Sequence, residues 1–230
     1  MTPQHVAIIM DGNRRWARER RLPIELGYRR GIRALRRTLK AADAAGIRIV
    51  TAYAFSEENW GRPAVEVNLL MKLGFLAAHR ELQALADDGA RIRLCGRRDR
   101  LPSGTRTALE LLVAQTAANT GITLNLAIDY GARREIGDAV RTLVREVHAG
   151  LRDVESIDEH AVHSHLYTAG MPDPDLIIRT GGDVRLSNFL LFQAAYAEFW
   201  ATDTYWPDFG AAHLKAALDD FAARQRRFGT

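Results

Sequence analysis

The chain has 230 residues, 47% of them hydrophobic, which is enough for one sizeable core and predicts a single domain over residues 1–230. No apolar run is long enough to span a bilayer, no signal-peptide pattern opens the chain, and one cysteine, Cys95, excludes an internal disulfide. The single cysteine and the lack of a signal-peptide pattern favour a cytoplasmic protein. The formal net charge is only +4, and zinc-finger or RNA-binding motifs are lacking, so we expect no nucleic-acid partner.

Strands and helices alternate along the first half of the chain. An apolar run at residues 6–10 predicts a buried strand. Tyr28, Ile32, Leu35 and Leu39 then recur at helical spacing in a helix that Gly46 ends. The next predicted elements are a strand at 47–55, a polar loop at 56–63, a helix at 66–85 and a strand at 91–95.

The same alternation continues through the second half. The predicted elements there are a helix at 105–118, a strand at 122–128, a helix at 133–148, a short helix at 158–167, a strand at 176–179, a helix at 187–196 and a last helix at 211–227. Strands that alternate with helices favour an α/β fold with a mostly parallel central sheet flanked by helices on both faces.

The end of the first predicted strand carries an unusual set of polar residues. The strand stops at Asp11-Gly12-Asn13, a turn signal, and Arg14 and Arg15 follow at the start of a helical pattern. In open α/β sheets, ligands bind at the carboxyl ends of the strands. A carboxylate beside arginines and free helix amides suits a metal-bound polyanion such as a diphosphate. From this segment alone, Asp11 either belongs to such a site or caps the helix.

A second strand end repeats this arrangement. The strand at 176–179 runs into a glycine-rich turn that brings Arg179, Arg185 and the Ser187 hydroxyl to the edge of the sheet. Two guanidiniums and a hydroxyl make a suitable anion site, whereas an ordinary turn with surface arginines is the alternative. Two such strand ends in one sheet favour a shared site.

Other site patterns are weak or missing from the sequence. His160, His163 and His165 lie on an otherwise polar helix, which favours a solvated face over a metal site. The chain has no Gly-x-x-x-x-Gly-Lys and no Gly-x-Ser-x-Gly, so neither a P-loop nor a nucleophile elbow is predicted. It also has no Asp-Asp-x-x-Asp motif, so an aspartate cluster that binds diphosphate through several metals is not predicted.

Several long motifs occur in a fixed order along nearly the whole chain. They are HVAIIMDGNRRWA at 5–17, YAFSEENWGRP at 53–63, LNLAIDYG at 124–131, IRTGGDVRLSNFLLFQ at 178–193, AYAEFW at 195–200, WPDF at 206–209 and RRFG at 226–229. With these motifs the chain resembles the cis-prenyltransferase (undecaprenyl diphosphate synthase) family. The resemblance implies an apolar substrate tunnel inside the α/β fold, a requirement for Mg²⁺, and a homodimer.

The resemblance also implies a reaction. Family members add isopentenyl diphosphate to an allylic diphosphate and make cis double bonds. A long polyprenyl diphosphate product would serve as a lipid carrier for cell-wall glycans. Such a lipid product implies transient membrane association, at the inner face, of an otherwise cytoplasmic enzyme.

Roles for individual residues follow from the same resemblance. Asp11 and Asn59 are the expected catalytic residues, and Asp11 and Glu198 the expected metal ligands, with Glu198 near the dimer interface. Because an amide is a poor base, we expect Asn59 to position substrate while a diphosphate oxygen takes the proton. The expected substrate-binding residues are Gly12, Asn13, Arg14, Arg15, Trp16, Tyr28, Ser56, Glu57, Glu58, Trp60, Arg62, Arg179, Arg185, Leu186 and Ser187. The ending Arg227-Phe228-Gly229 is expected to reach a neighbouring active site.

Two departures from the family pattern concern the head of the allylic site. Members usually read Arg-x-x-Gly-His, but Ile24 and Tyr28 take the places of the arginine and the histidine. Either another arginine, such as Arg14 or Arg21, compensates, or the allylic substrate differs from farnesyl diphosphate. A smaller departure is Asp183, where Glu is common.

The remaining alternatives concern the product and the class of protein. Ala54 is small where short-product relatives carry a bulkier residue, which favours a long product. Ile24 and Tyr28 favour the alternative of a short-chain or specialised-metabolite enzyme. A non-catalytic partner subunit is a further alternative, which the presence of Asp11, with Arg179, Arg185 and Glu198, argues against.

Overall fold

The computed structural model describes residues 2–224, so the expected Arg227-Phe228-Gly229 contact lies outside the described residues. Its centre is a six-stranded sheet in the order β3-β4-β2-β1-β5-β6, in which every neighbouring pair is parallel. The strands are β1 (His5–Ile9), β2 (Ile49–Ser56), β3 (Arg91–Cys95), β4 (Thr123–Tyr130), β5 (Leu176–Thr180) and β6 (Glu198–Thr202). The parallel α/β fold predicted from the alternation is confirmed.

Helices connect the strands. They are α1 (Asn13–Glu19), α2 (Ile24–Ala44), α3 (Ala64–Ala77), α4 (Gln83–Asp87), α5 (Ser103–Gln115), α6 (Ala132–His148), α7 (Glu159–His163) and α8 (Ala211–Ala223). The long helix α2 is amphipathic, and it buries Ala34, Leu35 and Leu39 at helical spacing against the sheet. Within residues 2–224, no helix combines the length and the apolar character that crossing a membrane requires.

The sheet is buried on both faces. In β1, Val6 and Ile8 pack with residues of α2 and α8, whereas Ala7 and Ile9 pack with the opposite cluster around Phe189. This alternation follows from the two-residue period of a strand. Burial on both faces also explains why the strand reads as an unbroken apolar run. Cys95 is buried in the second cluster, as expected from its place in a strand.

Two predicted helices are interrupted or absent in the structure, and one strand was not predicted. The helix predicted at 66–85 is broken by a π-helical turn at Ala78–Leu82 between α3 and α4. The helix predicted at 187–196 is wrong, because Ser187, Asn188 and Leu190 have φ of +51°, +62° and +46°. Left-handed residues cannot continue a right-handed helix. Strand β6, which follows this segment, was missed.

The order of the strands reverses at β1. The chain passes from β1 to β2 on one side, while β5 lies on the other side of β1. A parallel sheet leaves a crevice outside the carboxyl ends of its strands at such a switch point. The ends of β1 and β5 face this crevice, and these are the two strand ends that the sequence singles out.

Candidate active site

Asp11 and Arg179 meet at the switch point. Ile9 pairs with Arg179 in the parallel register of β1 and β5, so the residue just beyond β1 lies beside the Arg179 side chain. Nη2 of Arg179 is 3.0 Å from Oδ2 of Asp11. The backbone of Asp11 is fixed by Thr180, whose hydroxyl accepts from its N–H at 2.9 Å and donates to its carbonyl at 2.7 Å. The sheet therefore sets this pair, although 168 residues separate the two side chains.

The turn after Asp11 requires a glycine. Gly12 has φ +103°, and a Cβ on it would lie 2.6 Å from the Tyr205 ring. The Gly12 N–H donates to Oδ1 of Asp11 at 2.6 Å, and helix α1 begins at the next residue. Asp11 does not cap helix α1, because the N-cap is Gly12 and no side chain makes a capping hydrogen bond there. Oδ1 of Asp11 instead fixes the turn before the helix, and Oδ2 faces guanidiniums.

The Asp11 carboxyl is half-buried among cations. Burial alone would raise its pKa, but the hydrogen bond from Arg179, the charge of Arg15 and the Gly12 N–H outweigh that effect. Together they hold the pKa of Asp11 below its usual range. Arg15 contributes through its Nη2, which is 3.1 Å from Oδ2 of Asp11. Asp11 is therefore an anion throughout the neutral pH range.

Arg179 is the centre of the second candidate anion-binding group. Its side chain is only 4% exposed, and Nη1 donates to the Ser187 hydroxyl at 2.7 Å. Asp183 accepts from Arg179 at 3.4 Å and from Arg185 at 2.8 Å, and lies 3.6 Å from Arg15. Within the described chain, Nε of Arg179 is buried without a hydrogen-bond partner. A buried donor without a partner is costly, which favours an acceptor supplied from outside the protein.

A cavity of about 530 Å³ opens beside this polar edge. Its polar end is lined by Asp11, Gly12, Asn13, Arg14, Arg15 and Arg18. Its body is apolar and lies between the sheet and helices α2, α3 and α5, with Leu35, Phe55, Met71, Leu109, Leu126 and Ile128 in the wall. The volume lies in the range of small-molecule sites. A cationic head and an apolar body suit an amphiphile with an anionic head group.

Tyr28 and Arg62 meet over a buried carboxylate at the mouth of the cavity. The Tyr28 hydroxyl donates to Glu66 at 2.8 Å and accepts from Arg62 at 2.9 Å. Arg62 also donates to Glu66 at 3.0 Å, and Arg14 lies 3.6 Å from it. Burial and the Glu66 carboxylate, opposed by the Arg62 charge, raise the pKa of Tyr28 to about 12. Tyr28 is thus a neutral hydroxyl at this position.

The structure places one of the two arginines that could compensate for Ile24 at the cavity. Ile24 opens helix α2 directly after Pro23 and is partly buried. Of the two arginines expected to compensate, Arg14 lies in the cavity wall, and Arg18, one helical turn further along α1, lies there too. The cationic head of the cavity therefore does not depend on residue 24.

The 3₁₀ turn Glu57–Gly61, called here the β2–α3 turn, covers the mouth from the other side. Asn59 lines the cavity, as does Arg62 just beyond the turn. The side chains of Ser56 and Asn59 cap the turn, and Oδ1 of Asn59 accepts from the Ser56 N–H at 3.2 Å. The fixed carboxamide supports a positioning role.

Several expected substrate-binding residues have other partners in the structure. Trp16 is buried, and its indole N–H donates to Asp208 at 2.7 Å. Leu186 packs against the apolar cluster around Phe189. The remaining partners are Arg134 for Glu57, Asn188 for Glu58 and Asp129 for Trp60. These side chains stabilise the segments that carry the site.

Glu198 is the first residue of β6, whereas Asp11 follows the last residue of β1, so the two side chains lie at opposite ends of the parallel strands. Glu198 pairs with Leu176 at the amino end of β5, whereas Arg179 pairs with Ala201. Its carboxylate accepts from Nη1 of Arg224 at 2.7 Å. Within one chain, therefore, the structure does not bring the two expected metal ligands together.

Among the described residues, no three His, Cys, Asp or Glu side chains are grouped so that they could hold a metal ion. The histidines of the α7 region have carboxylate partners instead, namely Asp173 for His163 at 3.0 Å and Glu146 for His165 at 2.7 Å. Of the described residues that line the polar end of the cavity, Asp11 is the one that carries a carboxylate. Mg²⁺ commonly binds through one or two carboxylates plus substrate phosphates, so this donor set fits a metal that arrives with a diphosphate.

Two residues at the mouth of the cavity, Arg18 and Glu66, were missed from the sequence. Arg18 lies one helical turn beyond Arg14 in α1, and Glu66, in the first turn of α3, is four residues beyond Arg62. This spacing is the signal that could have found them. Asp183 was noted only as a departure, yet it contacts three arginines of the site.

The comparisons with known proteins agree with this geometry. A family model described as putative undecaprenyl diphosphate synthase matches residues 9–229. An isoprenyl transferase of Heliobacterium mobile is 50% identical over 227 residues, covering 99% of this chain and 87% of the relative. A ditrans,polycis-undecaprenyl-diphosphate synthase ((2E,6E)-farnesyl-diphosphate specific) of Xanthomonas axonopodis pv. citri is 48% identical over 227 residues, covering 99% and 88%.

Solved structures give the same result. Lavandulyl diphosphate synthase from Lavandula x intermedia, in complex with dimethylallyl diphosphate, superposes with a TM-score of 0.97 at 35% identity over 100% of this chain and 99% of the other. A probable undecaprenyl diphosphate synthase from Campylobacter jejuni has a TM-score of 0.82 at 29% identity, with 100% of both chains covered. The chain belongs to the undecaprenyl diphosphate synthase family, and it is an isoprenyl transferase of the cis-prenyltransferase type.

Proposed function

We propose that this chain condenses isopentenyl diphosphate onto an allylic diphosphate to make a long-chain, undecaprenyl-like polyprenyl diphosphate. The family implies isoprenoid diphosphate substrates. The observation that carries the proposal is the Asp11–Arg179 pair, which joins two anion-binding strand ends at the polar end of an apolar cavity. An allylic diphosphate has a matching shape and charge, with a multiply charged anionic head and a hydrocarbon tail.

Two diphosphates need two separate groups of cations. Arg14, Arg15 and Arg18 line the polar end of the cavity, where the head of the allylic substrate would lie. Arg179, Arg185 and Ser187 form the second group, outside β5, where isopentenyl diphosphate would lie. Asp11 lies between them, in contact with Arg15 and Arg179. Holding both substrates on adjacent strand ends lowers the entropic barrier to their reaction.

Charge develops on the leaving diphosphate as the allylic C–O bond breaks. When bound, Mg²⁺ held by Asp11 would neutralise part of that charge and so act as a Lewis acid. Arg14 and Arg15 would stabilise the remainder through charge-assisted hydrogen bonds. The apolar wall around Phe55 and Leu126 excludes water from the allylic cation that forms.

Proton removal completes the condensation. The carboxamide of Asn59 is oriented by the Ser56 N–H, and an amide is a poor base. Asn59 would therefore orient isopentenyl diphosphate, and an oxygen of a diphosphate would accept the proton. Arg62, which donates to Tyr28 and Glu66, would hold the end of the β2–α3 turn in place meanwhile.

The placement of Glu198 bears on the assembly that we propose. Because Glu198 and Asp11 lie at opposite ends of the parallel strands, Glu198 would reach the metal site at Asp11 only in a second copy of the chain. A homodimer would satisfy this requirement. The lipid product would also bring the otherwise cytoplasmic enzyme into transient contact with the inner face of the membrane.

A short-chain enzyme with an atypical primer is the second candidate. It is favoured by Tyr28, whose hydroxyl engages Arg62 and Glu66 where the family usually carries a histidine. It is also favoured by the TM-score of 0.97 with lavandulyl diphosphate synthase, which was solved with dimethylallyl diphosphate. The 48% identical relative named as farnesyl-diphosphate specific favours the long-chain candidate.

Product analysis distinguishes the two candidates. The protein is incubated with radiolabelled isopentenyl diphosphate, Mg²⁺ and one primer at a time, namely dimethylallyl, geranyl, farnesyl or geranylgeranyl diphosphate. Our proposal predicts a long polyprenyl product from farnesyl diphosphate. A single condensation, from the short primers only, would favour the second candidate. If no primer yields a labelled prenyl product, the proposed reaction is wrong.

A double change tests the two departures directly. If Ile24 and Tyr28 do not set primer choice, Ile24→Arg with Tyr28→His should raise kcat/KM for farnesyl diphosphate by about tenfold, the effect of one added charge-assisted contact. If they select a different primer, the same change should lower activity on that primer. Ile24→Leu serves as the matched control, since it changes shape without adding charge.

A further inference from the structure

The β2–α3 turn is attached to the sheet at Trp60, and the group that holds it is the buried carboxylate of Asp129. We propose that Asp129 and Arg100 form a docking site for the Trp60 indole, and that Asp129 is thereby a positioning residue for Asn59 and Arg62. The inference rests on the proposed function, because Asn59 and Arg62 are assigned to isopentenyl diphosphate and to the mouth of the cavity.

Three side chains contact the Trp60 indole. Nε1 of Trp60 donates to Oδ1 of Asp129 at 2.8 Å. The Arg100 guanidinium lies over the ring, with Cζ 5.1 Å from its centroid, which is a cation–π geometry. Phe55 packs edge to face, with ring centroids 5.1 Å apart. The polar edge and one face of the indole thus have specific partners. These contacts fix the orientation of the Trp60 side chain and do not only bury it.

The two residues of the docking site come from the ends of different strands. Asp129 lies near the end of β4, and Arg100 lies in the loop after β3. Nε of Arg100 donates to Oδ2 of Asp129 at 3.0 Å, and Nη2 of Arg100 donates to Oδ1. Because this bidentate pair involves no atom of the turn, it can persist when the turn moves. The site for the indole is therefore preformed.

Stability alone does not account for this arrangement. The Asp129 side chain is 0% exposed, and its backbone has φ +49°, a left-handed conformation that costs aspartate less free energy than most residues but more than glycine. A buried ion pair adds little net stability, because desolvation offsets the attraction between the charges. Strained and buried polar residues of this kind are concentrated at functional sites. Here the strained residue lies directly beneath the turn that carries Asn59.

The other attachments of the turn are weaker or lie at its ends. Glu57 and Glu58 contact Arg134 and Asn188 through partly exposed side chains, contacts that water can replace. Arg62 is held by Tyr28 and Glu66 beyond the turn. Release of Trp60 would therefore free the middle of the turn, where Asn59 lines the cavity.

Two variants and their combination test the docking. Trp60→Phe keeps the ring but removes the N–H, and Asp129→Asn removes the charge that orients Arg100. Each should raise the KM for isopentenyl diphosphate by about tenfold, the effect of one hydrogen bond to a charged group. Because both act through one contact, the double variant should be no worse than the more impaired single variant. Additive effects would overturn the inference.

Hydrogen exchange supplies a readout that does not need activity. In Asp129→Asn, the amides of residues 57–62 should exchange faster than in the wild type, while those of α6 stay unchanged. Unchanged exchange at 57–62 in both single variants would overturn the docking, even if the enzyme proves active. If the proposed reaction fails instead, the exchange experiment still decides whether Asp129 holds the turn. Trp60→Phe retains the Asp129–Arg100 pair, so it covers the case in which Asp129→Asn does not fold.

A neighbouring ion pair provides the matched control. Arg97, from the same loop as Arg100, donates to Asp138 of α6 at 3.0 Å. Asp138→Asn weakens a comparable arginine–aspartate pair that does not involve the β2–α3 turn. This control should leave both the KM for isopentenyl diphosphate and exchange at residues 57–62 unchanged. Equal effects from Asp138→Asn and Asp129→Asn would show general loosening of the sheet edge and would contradict a specific dock.

Discussion

Arg179 shows at the scale of one residue why this site uses arginine. Its guanidinium contacts Asp11, Asp183 and the Ser187 hydroxyl at once, while only 4% of the side chain is exposed. A lysine would present a single ammonium and could not hold three acceptors in one plane. Arg185 is the opposite case, since its side chain is 62% exposed and it contacts Asp183. The two arginines of the second anion-binding group should therefore respond differently to mutation.

We predict that Arg185→Ala raises the KM for isopentenyl diphosphate by about tenfold, as expected for one charge-assisted contact, without lowering the Tm. Arg179→Ala should raise the same KM and also lower the Tm, because it removes the buried one of the two guanidiniums, Arg179 and Arg15, that Asp11 and Asp183 share. Steady-state kinetics for both substrates and thermal melts measure this. An equal rise in the KM for the allylic substrate in Arg185→Ala would contradict a separate second site.

The sequence could predict which strand ends form the site, but not most of the side-chain pairs around it. Asp11 and Arg179 each follow a buried apolar run, and the register of a parallel sheet brings them together. Trp60 and Asp129 lie in motifs that were recognised, yet their pairing depends on how two loops pack. No local pattern encodes such a contact between distant loops.

Strand β2 shapes the cavity at the scale of one element. The pairing of β2 with β4 shifts register between Tyr53 and Phe55, so the strand is irregular at Ala54. Ala54 lines the cavity, although it belongs to a strand of the central sheet. A bulge of this kind redirects a side chain next to an active site. We therefore expect the size of residue 54 to limit the space available to a hydrocarbon tail.

We predict that Ala54→Leu shortens the product. Because Ala54 is exposed and lines the cavity, a leucine there should extend into space that the growing chain needs. Chromatography of the labelled products measures the shift in length. Ala223→Leu, at the end of α8, serves as the control and should leave the products unchanged. A product distribution that is identical in Ala54→Leu and wild type would contradict this role of β2.

A pH-dependent contact joins helix α6 to the segment after α7. Glu146 and the Ala161 carbonyl hydrogen-bond to His165 and raise its pKa above 6.5. Protonated His165 therefore stabilises the fold below about pH 6.5, its unfolded pKa, and this contribution is lost as the pH rises through the folded pKa. The Tm difference between wild type and His165→Gln should shrink from about pH 5.5 to about pH 8.5. A difference that stays constant, or that His160→Gln reproduces, would contradict this contact.

The elements that sequence analysis missed are those whose local pattern conflicts with tertiary packing. Residues 187–196 have apolar side chains at helical spacing, but Phe189 and Leu190 are buried against the sheet by turns with positive φ. The π turn at Ala78–Leu82 likewise interrupts a segment whose apolar residues continue on both sides. Such an insertion leaves the hydrophobic pattern nearly unchanged, so periodicity alone does not reveal it.

At the scale of the whole molecule, one feature of the sheet organises the site. Because the strand order reverses at β1, the ends of β1 and β5 lie side by side at the crevice, while β2 and β4 form the wall of the cavity. In the proposed reaction, the anionic head and the apolar tail of a substrate would therefore contact different strands of the same sheet. The fold accounts for the separation of the two groups of arginines and for the position of Asp11 between them.

The most direct test is the rate at which labelled isopentenyl diphosphate enters butanol-extractable products, with farnesyl diphosphate and Mg²⁺, in wild type and Asp11→Asn. Asparagine keeps the size of Asp11 and an oxygen for the Gly12 N–H, but it removes the charge. We predict that wild type makes product and that Asp11→Asn loses at least about 100-fold in rate with an intact fold by circular dichroism. Asp219→Asn, on the exposed face of α8, should match wild type. An Asp11→Asn enzyme that keeps most of the wild-type rate would contradict the account.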